Sequence, residues 1–163
     1  MKNMENIHRE FFDSLYEAEK FWNSADHLVY ITLPVVKDTK LLLRVLENLH
    51  KCAVRAISTI LKFEYLYKRI TLSSDSARNL EIFFSKCASR YGLGTDDREK
   101  IKKIIHLGKK HKEAGVEFPR SGKVIILDDN LGREEIRVEE MKVFIRVLRG
   151  LLDNMNKGFR GIE

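Results

Sequence analysis

From Asp38 to Ile70 the chain contains no proline and keeps two separate stripes at helical period, which commits this stretch to one long helix. Leu42, Leu46, Leu49, Ala53, Ile57 and Ile60 form an apolar side. Lys40, Arg44, Lys51, Arg55, Lys62 and Arg69 recur at steps of four or seven on the other. At about 100° per residue those six cations share one narrow face. Only Asn48, Ser58 and Thr59 join them, and no carboxylate interrupts the row. Such a helix needs partners along its apolar side, and its cationic side is either a binding surface or half of an internal charge pairing.

The partners are legible in the rest of the chain. Phe11, Leu15, Ala18, Trp22, Ala25, Val29 and Leu33 step by four and three, a bundle seam that predicts a first helix over 5–33. Pro34 opposes its continuation and Asp38 is a cap for the second helix, over 38–70. The connection is short, so the two helices should be antiparallel, with the second at the centre. A third helix is expected over 77–90, ending at Gly92, and a fourth over 96–114, with Asp96 and Asp97 in its first turn and bases in its last. The period then changes. Val116–Pro119 and Lys123–Leu127, joined around Ser121–Gly122, read as a β-hairpin over 116–127, and Ile136 and Val138 could add a short strand. A fifth helix over 139–157 buries Met141, Phe144, Ile145, Leu148, Leu151, Leu152 and Met155 and stops at Gly158. The expected fold is mainly all-α: one domain, 1–163, an antiparallel bundle of about five helices with a small hairpin before the last.

The totals narrow the function classes. Apolar residues make up 44% and charged residues 33%, which describes a globular chain rather than a disordered one. A net charge of +6 favours polyanionic partners. No apolar run reaches the roughly 20 residues of a membrane helix, and the polar start Met1–Glu10 lacks the apolar core of a signal peptide, so a cytoplasmic protein is expected. Cys52 and Cys87 match neither a disulfide framework nor a zinc site and read as buried thiols. Phosphate-cradling glycine loops and nucleophile elbows are absent.

Metal chemistry is suggested by two Glu-x-x-His pairs, Glu5/His8 and Glu47/His50, because such pairs serve di-iron sites in bundles. The antiparallel register separates them by roughly 18 Å along the axis, and His106 and His111 diverge around their helix, so no metal or other cofactor is expected. The spacing of Arg44 and His50 resembles the catalytic motif of HEPN-family RNases, which are helical bundles. That resemblance implies a metal-independent cleavage in which His50 is acid or base and Arg44 supports the phosphate, paired across a dimer. The other reading of His50 is a partly buried histidine bonded to a neighbour. Segments Ser24–Tyr30 and Val35–Ile70, including Glu64–Arg69, also resemble an uncharacterised family of small archaeal helical proteins, which implies a helical fold and no activity.

Two charge patterns remain. Residues 1–33 carry six acids against three bases and 37–70 carry three acids against eight bases, so the first helix could neutralise the second. The register sets Asp26 level with Arg44 and Glu19 with Lys51, and leaves Arg55, Lys62 and Arg69 near Asp13, Glu10 and Glu5. The fourth helix holds Lys100, Lys102, Lys103, Lys109, Lys110 and Lys112, with no acid between Glu99 and Glu113. If this cluster adjoins the ridge, the two make a continuous phosphate-contacting surface. The expected nucleic-acid contacts are then Lys40, Arg44, Lys51, Arg55, Lys62, Arg69, Lys102, Lys103, Lys109 and Lys110. Binding would be directed at the backbone, because no aromatic side chains interleave for stacking. A bundle that acts only structurally or by forming homo-oligomers is the remaining alternative.

Overall fold

A computed structural model describes residues 3–161. Five helical rods and a three-stranded sheet follow one another as the hydrophobic periods require. The first rod is α1 (Met4–His27), a π-helical turn (Leu28–Thr32) and α2 (Leu33–Val36). It does not end before Pro34. In the π turn the Leu33 amide already bonds five residues back to Leu28, and Pro34 then lies in the first turn of α2, where an N–H is surplus. The rod stops at Lys37, whose φ of 58° is left-handed. The Asp38 carboxylate accepts from the Lys40 amide at 3.1 Å and so closes the turn before the next helix rather than capping it: that helix begins at Leu41, three residues later than expected, and its N-cap Lys40 makes no side-chain capping bond.

The second rod, α3 (Leu41–Leu66), is the centre of the bundle and packs against α1, α5 (Thr95–Glu113) and α6 (Val138–Arg160). It ends four residues earlier than its periodicity implied. Lys68 turns left-handed, with φ of 60°, and the Arg69 amide reaches back to the Glu64 carbonyl at 3.0 Å, a Schellman-type closure. Arg69 therefore leaves the helix and the cationic row.

The third rod joins α4 (Ser76–Ile82) to a π turn (Phe83–Cys87) and a 3-10 turn (Ala88–Tyr91). Asp75 caps it by accepting from the Ala77 amide at 3.0 Å. The strands β1 (Val116–Arg120), β2 (Lys123–Leu127) and β3 (Arg133–Arg137) form an antiparallel sheet in the order β1-β2-β3. Ser121 and Gly122 both have positive φ, at 52° and 79°, which is the primed turn a two-residue hairpin needs. Ile136 is a strand residue as expected, whereas Val138 opens α6.

Gly158 does not stop α6. The next residue, Phe159, is 1% exposed and stacks on Phe63 with ring centroids 4.4 Å apart. Burying that ring, with Phe11 at 5.8 Å, outweighs the cost of about 1 kcal/mol for a helical glycine. Among the described residues no helix is long and apolar enough to cross a membrane.

Candidate functional site

α1 and α3 are antiparallel as expected, with contacts three to five residues further along α3 than the expected register: Ser14 meets Thr59 at 2.6 Å and His8 meets the Tyr67 hydroxyl at 2.9 Å. The rotation of α1 is not. Glu19 turns toward α6 and pairs with Arg149 at 3.5 Å, so it does not neutralise Lys51. The Lys51 ammonium lies instead over the Phe21 ring, 5.8 Å from its centroid. Asp26 forms no ion pair with Arg44, which lines a crevice with Asn23, Ser24 and His27. Among the described residues neither Arg55 nor Lys62 has an acidic partner.

The basic cluster of α5 divides in two. One flank is neutralised by acids that come from elsewhere in the chain: Lys103 binds Glu140 and Lys110 binds Asp128 at 3.1 Å. Lys102 pairs with Glu99 at 3.2 Å and lies over Phe84. His106 meets Glu134 at 2.7 Å. The other flank, with Lys109 and Lys112, faces α3 and has no acidic partner among the described residues.

The structure thus brings together Lys51, Arg55, Lys62 and Lys109 from the expected set, and adds Lys112. These five cations surround two adjoining clefts of about 480 and 420 Å³, and among the described residues no carboxylate lines either. Lys40 and Arg44 lie nearer the start of α3, outside both clefts. Arg69 is withdrawn by the buried Glu64, which it meets at 3.3 Å. Lys112 had a signal: Ile105, Lys109 and Lys112 step by four and three, which places them on one face of α5.

His50 lies where the two clefts meet and is only 7% exposed. Its ring packs on Gly108 of α5, where an added Cβ would stand 2.2 Å from Cδ2. It is buried, but it is not bonded to a neighbour: it has no hydrogen bond to any described residue. Burial, followed by the charges of Lys112, Lys109 and His111, holds its pKa below the usual 6.5, so the ring is neutral at pH 7. Arg44 and His50 are six residues apart, about 120° around α3, and open into different crevices. One chain does not bring them together.

Beside this face, His111 is held between Glu47 of α3, at 2.7 Å, and Glu117 of β1, at 2.5 Å. Burial lowers its pKa, but the bonds to the two carboxylates together overcome that and raise it. A folded-state pKa raised above the unfolded value contributes stability that is complete below about pH 6.5 and lost as pH rises through the folded value. Thermal unfolding should therefore show a loss on the order of 1 kcal/mol as pH climbs above about 6.5, the scale of a half-buried charge-assisted hydrogen bond. His111→Gln should flatten that slope; an unchanged slope would assign it to other groups.

The thiols are not activated, and the two Glu-x-x-His pairs are not brought together. Burial pushes the thiol of Cys52 up to about 12 and that of Cys87 up to about 11, so both stay protonated. Glu47 is engaged with His111 and His8 with Tyr67, and among the described residues no three His, Cys, Asp or Glu side chains are grouped to hold a metal. Compared with family models and with curated proteins, the chain matches none.

Proposed function

We propose that this chain is a non-enzymatic binding protein that contacts the phosphate backbone of nucleic acid through the face formed by Lys51, Arg55, Lys62, Lys109 and Lys112. The observation that supports it is the absence of compensation: five cations border one surface, while acids supplied by the fold neutralise the cations of the neighbouring flank. Like charges held together raise the energy of the compact state, and a polyanion relieves that repulsion while releasing its counterions.

The reading is tested by filter binding to mixed RNA and duplex DNA across a salt series. Five phosphate contacts give an expected slope of log affinity against log salt of about −4.5 for duplex DNA and about −3.5 for single strands. Lys109→Glu/Lys112→Glu should make the slope shallower by about 2 for duplex DNA. Affinity that is weak and flat with salt would sink the reading.

A further inference from the structure

The larger cleft, between α3, α4 and α5, has a chemistry that phosphate contacts alone do not use. Its floor is aliphatic, with Ile57, Leu61 and Ile105 each at least nine-tenths buried and Val54 47% exposed at its edge. Its rim is Lys62, Lys109 and Lys112, without a carboxylate among the described residues. Into it faces His50, more than nine-tenths buried and bonded to no described residue. No buried side-chain nitrogen or oxygen among the described residues lacks a partner, so the His50 ring nitrogens open onto cleft space rather than into packed protein. An imidazole whose nitrogens are reachable from the cleft and that no protein group engages is free to hydrogen-bond a ligand there. A nucleic-acid backbone would be satisfied by the rim lysines and has no use for an aliphatic trough beneath them. A ligand with an apolar body and one anionic head would use the floor, the rim and the histidine together.

We propose that this cleft binds a small amphiphilic anion, an alkyl or aryl chain ending in a carboxylate or a phosphate. The head lies among His50, Lys109 and Lys112, and the chain runs along Val54, Ile57, Leu61 and Ile105. The volume of about 480 Å³ falls within the range of small-molecule sites. The site stands on its own geometry, but it shares Lys62, Lys109 and Lys112 with the proposed nucleic-acid face. Occupancy would therefore neutralise the middle of that face and weaken its hold on phosphate backbones.

The test is calorimetric titration with decanoate and with decyl phosphate, both below their micelle concentrations. Expected is one site per chain with Kd of roughly 10–100 μM. Decanol, without the charge, should bind at least about ten-fold more weakly, and decyltrimethylammonium should not bind. The tighter of the two anions identifies the head group. Val54→Glu places an acid at the edge of the cleft on an exposed position, and should weaken the anions about ten-fold without unfolding the chain. Lys51→Ala/Arg55→Ala, outside this cleft, should lower nucleic-acid affinity and leave decanoate unchanged. Decanoate binding no tighter than decanol, insensitivity to Val54→Glu, or capture of anionic vesicles without monomeric decanoate would each overturn the proposal. Loss of decanoate binding with salt-dependent nucleic-acid binding intact removes this inference alone. The reverse result removes only the nucleic-acid reading.

Discussion

Glu64→Ala is expected to lower the unfolding free energy by about 3 kcal/mol, read from urea denaturation at pH 7. The carboxylate is 1% exposed and ties three elements together: it accepts from Arg69 at 3.3 Å, from the Tyr91 hydroxyl at 2.9 Å, and from Arg90. Removing a buried partner typically costs about 3–5 kcal/mol because a charge is left stranded. Here the stranding is partial, since Arg90 and Arg69 are 48% and 37% exposed and can hydrate where they stand. Tyr91 cannot. Its hydroxyl, whose pKa burial and then Glu64 hold well above the usual value, would be left buried without an acceptor. That contributes about 1–3 kcal/mol, and the vacated side-chain volume adds the rest. Glu64→Gln keeps the shape and an acceptor for Tyr91 and should lose about half as much. Glu64→Ala/Tyr91→Phe removes the orphaned hydroxyl and should cost less than the two single changes added. An additive pair would show that the hydroxyl is not what the carboxylate protects.

This clamp also shows where the sequence stops speaking. Glu64 follows Ile60 by four residues and Ile57 by seven, so the sequence sets an acid on the apolar side of its helix, which requires a partner, but two of its three partners lie on a different rod. Period and punctuation are local, and they were legible: the seam of α1, the centrality of α3, and the Ser121–Gly122 hairpin follow from spacing alone. The azimuth of one helix against another is not local. Whether Glu19 faces Lys51 or Arg149 depends on how α1 rolls between α3 and α6, and the ring of Trp22 fixes that roll by donating to the Ile145 carbonyl at 2.8 Å and stacking under Arg149. The same holds for the candidate site. All of its cations were visible as charges, yet which of them stay uncompensated depended on Glu140 and Asp128, which lie in later elements. Phe159 carried α6 past Gly158 for a similar reason, since its partners Phe63 and Phe11 belong to two other helices.

Gly108→Ala should destabilise the protein by about 2 kcal/mol, although a glycine-to-alanine change inside an unconstrained helix stabilises by about 1 kcal/mol. The sign is reversed because of one close approach. A Cβ on residue 108 would stand 2.2 Å and 2.3 Å from Cδ2 and Cγ of His50, and 2.8 Å from its Cβ. Turning the imidazole relieves the first two contacts. It cannot move the His50 Cβ, which the α3 backbone fixes, so α3 and α5 must also separate slightly. His50→Ala/Gly108→Ala removes the ring and leaves only the Cβ contact, and should therefore cost about 1–2 kcal/mol less than the sum of the single changes. A coupling near zero, or a Gly108→Ala protein more stable than the parent, would mean that the two helices are not held at this distance by the glycine. The cycle bears on function as well. The ring that an alanine at 108 displaces lines the same cleft as Lys109 and Lys112, so Gly108→Ala should weaken decanoate about as much as His50→Ala does, and the double change should weaken it no further. That pattern would separate a histidine that supports the helix contact from one that meets a ligand, because packing coupled to Gly108 relaxes in the double variant while the missing hydrogen bond does not return.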